Sequence, residues 1–173
     1  MAKILVDMDA VIVDFISPLL TKYNNKYKAD LKVNDITQWT LPKDMRAIYE
    51  DNYEFFLNLL PIPYALDGVN HLKKYHDVLI CTDSGNSFNV AKAKVKWCKL
   101  RLPEIPVIIT NDKTMPCDVI IEDAPHHLDN ASAKLKICVS WPWNEKMSGL
   151  RVIPGTNWWI DNVVNSLITK AGS

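Results

Sequence analysis

"DMDAVIVDF", residues 7–15, follows directly on the apolar run Ile4, Leu5 and Val6. Side chains alternate along a strand, so Asp7 and Asp9 would lean to the same side if the strand ran on. Two carboxylates that close destabilise each other unless a cation, a proton or solvent intervenes. A strand that simply ends in a solvated acidic turn is the plainer alternative. These nine residues leave both readings open, and the segments that follow the other apolar runs must decide.

Five such runs read as strands: residues 4–6, 78–81, 105–110, 119–121 and 137–140. They are nearly continuous in Val, Ile and Leu instead of alternating, as expected of parallel strands covered on both faces. Between the second and third, Phe88, Ala91, Val95 and Cys98 recur at helical spacing, with Lys92, Lys96 and Lys99 on a solvated side. A C-terminal helix carries Ile160, Val163, Val164, Leu167 and Ile168 as one apolar stripe. Strand and helix in alternation predict a Rossmann-like α/β domain of three layers around a five-stranded parallel sheet. About seventy residues separate the first two strands, far more than one crossover needs. Helical patterns at residues 17–27 and 43–60 fill that gap, and a helix at 65–75 leads back to the sheet. The expected organisation is therefore a core of residues 1–14 and 65–173, with residues 15–64 forming a small helical cap inserted after the first strand.

The 173 residues suffice for one full core with a small insertion. A hydrophobic content of 48% with 23% charged residues is that of an ordinary globular protein, and no run approaches a membrane span. Twenty basic and twenty acidic residues cancel, so no net field attracts a nucleic acid polymer or an anionic membrane. The N-terminus turns acidic at Asp7 before any long apolar stretch, which argues against a signal peptide. Cys81, Cys98, Cys117 and Cys138 form no CxxC pair and read as small core residues of a reducing compartment. A cytoplasmic location is expected, and the sequence allows a homodimer.

Ligands of open α/β sheets bind beyond the carboxyl ends of the strands. Asp7 and Asp9 follow the first strand, and Thr82 and Asp83 of "TDSGN" the second. Lys113 of "TNDKT" follows the third, and the acidic pair Glu122–Asp123 the fourth. Carboxylates suit Mg²⁺, which takes few protein ligands and would relieve the repulsion between the acids. Thr82, Lys113 and the N–H groups of the turn could hold phosphate oxygens at a helix start. An aspartate is a competent nucleophile for an aspartyl-phosphate intermediate. Singly, each residue is as well explained as a local hydrogen-bonder or a surface charge. Their joint position after four separate strands points to phosphoryl transfer.

"DMDAVIVDF", "VLICT", "NDKT" and "VIIEDAP" resemble, in order and spacing, the four motifs of the haloacid dehalogenase superfamily. With "ITQWT", "FFLNLLPIPYAL", "WPWN" and the tail "RV…W", the similarity is closest to the 5'(3')-deoxyribonucleotidase family and covers nearly the whole chain. The resemblance implies a Mg²⁺-dependent phosphatase acting on small nucleoside 5'-monophosphates. Asp7 would be nucleophile and metal ligand, and Asp9 the acid and base with its carbonyl on the metal. Thr82, Asp83 and Lys113 would bind phosphate, Glu122 and Asp123 would complete the metal site, and Phe15 and Trp39 would stack the base. Four departures stand out: Ala10 where the family usually has Gly, Glu–Asp for Asp–Asp, Tyr64 in "PYA" for Gly, and Asp83 for a small hydroxyl residue. Asp83 is best accommodated as a cap of the following helix.

Alternatives remain a phosphatase of another small phosphomonoester and a catalytically weak nucleotide-binding protein. A receiver-type signalling module fits poorly, because its adjacent acids follow the first strand and it carries no helical insertion.

Overall fold

The computed structural model describes all residues, 1–173. Six parallel strands form one sheet: β1 (Lys3–Val6), β2 (Asp77–Thr82), β3 (Val107–Ile109), β4 (Cys117–Glu122), β5 (Ala133–Val139) and β6 (Leu150–Val152), in the spatial order β3-β2-β1-β4-β5-β6. The expected five-stranded sheet is thus corrected to six. β6 is only "LRV", three residues with an arginine among them, and it follows Gly149 at φ +102°. It is a strand because it pairs with β5 (Ile137 with Leu150, Val139 with Val152), not because its own sequence is strongly apolar.

β1 lies at the centre, and its Ile4, Leu5 and Val6 are wholly buried. Alternation divides the sheet's two faces. Ile4, Val6, Val78, Ile80, Val119, Ile121, Ile137 and Val139 join the large core cluster. Leu5, Cys81, Ile120 and Cys138 belong to a smaller cluster on the other face. The large cluster takes in α4 (Ala65–Lys73), α5 (Phe88–Arg101) and α7 (Asn162–Ala171); the smaller one is covered by Leu128 of the short α6 (Pro125–Asn130). All four cysteines are free and buried, as expected of core residues. Burial pushes the thiols of Cys98 and Cys81 up to about 12 and about 11, so neither is a reactive thiolate. No helix is long and apolar enough to cross a membrane.

Two helices depart from expectation. On α5 the buried side chains are Val90, Ala93, Lys94, Trp97 and Cys98, while Phe88 is 80% exposed. Of the expected stripe Phe88, Ala91, Val95 and Cys98, only Cys98 is buried, so the stripe is largely out of phase with the face that packs. On α7 only Val164 and Ile168 are buried and Val163 is exposed, while Ile160 falls in the turn before the helix and is also exposed. Gly68 of α4 has a packing reason: a Cβ there would meet the Trp159 side chain at 2.1 Å.

Between β1 and α4 run α1 (Ile16–Tyr27), α2 (Lys43–Tyr49) and α3 (Tyr53–Leu57). The single helix expected over 43–60 is broken at Asp51, whose φ is +57°. Asp51 uses the break: its Oδ1 accepts from Ser87 Oγ (2.6 Å) and Asn89 Nδ2 (3.1 Å), tying this segment to the start of α5. Ala10 and Tyr64, the two positions where glycine was expected, both adopt positive φ, at +57° and +66°. Each costs roughly 1–2 kcal/mol for an L side chain, offset by surrounding bonds. At Ala10 these are its N–H to the Val13 carbonyl (2.9 Å) and its carbonyl accepting from Trp141 Nε1 (2.7 Å).

Candidate active site

The strand does not run on past Val6. The chain turns at Ala10, and each of the two aspartates meets its own lysine. Asp7 Oδ1 accepts from Lys113 Nζ at 2.5 Å, and Asp9 Oδ2 from Lys94 Nζ at 2.5 Å. Repulsion between the acids is thus moderated by two ammonium groups, which are 4% and 2% exposed.

Lys113 comes from the loop after β3, where Asp112 Oδ1 accepts from Thr114 N (2.9 Å) and Oγ1 (2.6 Å) and fixes the turn. Its Nζ also donates to Glu122 Oε2 at 2.5 Å. An ammonium has three donors, so one remains for a ligand. Burial pulls the Lys113 ammonium down, but the carboxylates of Asp7 and Glu122 outweigh it and hold it above the ordinary lysine range. Glu122, at the end of β4, accepts three bonds: Oε1 takes the backbone N–H groups of Asp123 and Ala124, both at 3.1 Å, and Oε2 takes only Lys113. Asp123 differs. Its Oδ2 accepts from Trp143 Nε1 at 3.0 Å, while its Oδ1 is buried with no hydrogen-bond partner. Burial, then the charges of Glu122 and Asp7, raise the Asp123 carboxyl well above its usual range.

Asp7, Glu122 and Asp123 can bring one ligand atom each within 4.8 Å of one another. Together with Asp9 they set four carboxylates against two ammonium groups. The excess of negative charge and the unpartnered Asp123 Oδ1 fit a divalent cation.

Thr82 closes β2 and is 1% exposed; its Oγ1 accepts from Lys94 Nζ at 3.0 Å. Asp83 does not cap α5 as expected: Ser87 does, accepting from Val90 N at 3.1 Å. The Asp83 carboxylate instead accepts from Gly85 N at 2.8 Å, which turns it into its own loop. Asp9 Oδ1, like Asp123 Oδ1, is buried without a partner. Burial raises the Asp9 carboxyl, Lys94 pulls against that and the neighbouring Asp7 charge adds to it.

These groups gather at the carboxyl edge of β1, β2 and β4, where Asp9, Asp83, Lys94 and Asp123 line a cleft of about 870 Å³ whose other side is formed by residues between β1 and α4; the buried Asp7, Thr82, Lys113 and Glu122 do not line it. That volume falls within the range of small-molecule sites. Phe15 and Trp39 both line it, in different settings. Phe15 is 9% exposed and held by Tyr49, Phe55 and Phe56 at centroid distances of 5.0, 5.6 and 6.0 Å. Trp39 is 40% exposed, 5.7 Å from His126 and 6.3 Å from Trp143.

Sequence reasoning missed Lys94 and gave Trp143 no role of its own. Lys94 was detectable, because it shares a helical face with Val90, Ala93 and Trp97. Trp143 and Asn144 close the site from "WPWN": Asn144 Nδ2 donates to the carbonyls of Asp123 (2.8 Å) and Val139 (2.7 Å), and Arg151 donates in turn to Asn144 Oδ1 (2.9 Å).

A family model described as 5' nucleotidase, deoxy (pyrimidine), cytosolic type C protein matches residues 1–171. The chain is 29% identical over 163 residues to a 5'(3')-deoxyribonucleotidase of Bacillus subtilis, covering 90% of this chain and 93% of that one. It is 31% identical over 140 residues to the cytosolic 5'(3')-deoxyribonucleotidase of Homo sapiens, covering 70% of each. Among solved structures, a haloacid dehalogenase superfamily hydrolase from Geobacter sulfurreducens superposes with a TM-score of 0.60 at 11% identity, over 96% of both chains. That last likeness is one of fold.

Proposed function

The chain belongs to the 5' nucleotidase, deoxy (pyrimidine), cytosolic type C family and is a phosphoric monoester hydrolase. From that premise we propose that it hydrolyses (deoxy)ribonucleoside 5'-monophosphates with Mg²⁺ through an aspartyl-phosphate on Asp7. One observation carries the reading. A buried carboxylate paired with Lys113 lies beside a second acid, Asp9, that keeps one oxygen free of any partner, and Asp9 lines a nucleotide-sized cleft.

In the first step Asp7 attacks phosphorus, the Oδ–P bond forms and the bond from phosphorus to the ribose oxygen breaks. Asp9 protonates that leaving oxygen. In the second, Asp9 takes a proton from water as the water oxygen attacks phosphorus and Asp7 is released. The third N–H of Lys113, the Thr82 hydroxyl and the Asp83 backbone N–H hold the phosphate oxygens. Since Asp83 turns its carboxylate toward Gly85, it need not oppose the dianion. Mg²⁺, when bound, offsets phosphate charge and helps orient it. Asp7, Asp123 and the Asp9 carbonyl would hold it, with Glu122, which already accepts three hydrogen bonds, serving mainly to fix Lys113. Residues 15–64 would act as a cap that closes the cleft over the base.

Phosphate release from nucleoside monophosphates and sugar phosphates, with Mg²⁺ or with a chelator, tests the assignment. Metal-dependent release confined to nucleotides supports it; preferred release from sugar phosphates would transfer it to another phosphomonoester.

Two variants probe the surroundings. Trp39 is the more available of the two aromatics, and Trp39→Ala is expected to weaken nucleotide use by roughly 1–3 kcal/mol, the range of base–aromatic stacking. A small aryl phosphate without a base should lose much less, and equal losses would mean that Trp39 only holds the segment together. Trp143→Phe removes the donor that fixes Asp123 Oδ2, and is expected to weaken Mg²⁺ binding by about 10–100-fold in calorimetric titration. Unchanged affinity would take Asp123 out of the metal site or Trp143 out of its support.

A further inference from the structure

Lys94 lies outside every motif so far given a role, yet its side chain is 2% exposed and joins three parts of the site. Its Nζ donates to Asp9 Oδ2 at 2.5 Å, to Thr82 Oγ1 at 3.0 Å and to the Asp83 carbonyl at 2.5 Å. The Phe56 ring lies 4.9 Å from it. An ammonium has three N–H donors, and these three acceptors use them all. Lys94 therefore has nothing left for a phosphate oxygen, and a role as a second phosphate ligand does not fit.

The consequences fall on its partners. Asp9 has one oxygen bound to Lys94 and the other buried without a partner, so its two oxygens are no longer equivalent. Thr82 accepts from the ammonium, which turns its hydroxyl hydrogen away from Lys94 and leaves it free for another acceptor. With the Asp83 carbonyl held, the N–H of the same planar peptide, that of Ser84, points the opposite way. We propose that Lys94 is a positioning residue of this site: by holding one Asp9 oxygen it assigns the other to proton transfer. The proposal rests on the acid–base reading of Asp9.

The test is a double-mutant cycle on the intact chain, with kcat and KM measured for a deoxyribonucleoside monophosphate. Lys94→Met keeps the length and removes the donors. It is expected to lower kcat by about 10²-fold, the cost of misplacing a reacting group, with a much smaller change in KM. In an Asp9→Asn background the same change should cost less than about threefold, because the group through which Lys94 acts is already lost. Should Lys94→Met fail to fold, Lys94→Gln, shorter and uncharged, carries the same expectation. A loss confined to KM would overturn the proposal in favour of phosphate binding. If Asp9→Asn is damaging and Lys94→Met still costs its full factor on top of it, the acid–base reading stands and the positioning role falls. If Asp9→Asn alone leaves turnover intact, the acid–base reading has failed and takes this proposal with it.

Discussion

Asp7→Asn is expected to reduce phosphate release by about 10⁴–10⁶-fold, the scale seen when a nucleophile that acts as part of a unit is removed. The amide is nearly isosteric but far less nucleophilic, and its NH₂ cannot accept from Lys113. The fold should survive. Lys113 keeps its bond to Glu122, and one charge leaves a cluster in which four carboxylates face two ammonium groups. A thermal unfolding curve close to that of the parent, beside the lost turnover, would separate chemistry from stability. Substantial activity in the folded variant would remove Asp7 as the attacking group.

Asp9→Asn is expected to cost about 10²–10⁴-fold in turnover, the usual contribution of a general acid–base group. The geometry gives the reason. Lys94 demands an acceptor, so an asparagine must turn its carbonyl oxygen toward the ammonium and its NH₂ into the position of Oδ1. That group can neither deliver a proton to the ribose oxygen nor take one from water. Nucleotide binding, measured separately by calorimetry, should persist, because the residues that hold phosphate are untouched. Unchanged turnover would exclude Asp9 from proton transfer.

The parts legible beforehand are those where one element dominates its own fate. Ile4–Val6 and Val119–Ile121 are apolar throughout, and such runs have little choice but the centre of a parallel sheet. The polar residues just beyond them, Asp7, Glu122 and Asp123, were therefore located by the strands. Thr82 and Lys113 followed by the same logic. The misreadings arise where tertiary packing overrides local pattern. Phe88 looks like the anchor of α5, but the face that meets the core is rotated to Val90, Ala93 and Trp97, and it carries a lysine. That face holds as many apolar residues as the one led by Phe88, so the lysine among them decided which phase was read. Lys94 is buried because Asp9, Thr82 and the Asp83 carbonyl await it, and those partners come from distant positions in the chain. β6 is similar: three residues with an arginine become a strand through β5, and Arg151 finds its acceptors in the carbonyls of Asn144 and Met147. Ala10 and Tyr64 read as departures from glycine positions, but the left-handed backbone is kept at both and the surrounding bonds absorb the cost. Trp143 could not be assigned at all without knowing that its indole N–H reaches Asp123.

The claim on which the rest depends is that Asp7 itself carries the phosphoryl group. Each in-line displacement inverts the configuration at phosphorus, so transfer to Asp7 followed by transfer to water restores it. Direct attack by water inverts it once. The decisive measurement is the stereochemical course of hydrolysis of a deoxyribonucleoside 5'-phosphorothioate made chiral at phosphorus with ¹⁶O and ¹⁸O, run in ¹⁷O-labelled water with Mg²⁺, and read from the configuration of the inorganic thiophosphate released. Net retention is the predicted result, and net inversion would contradict the account.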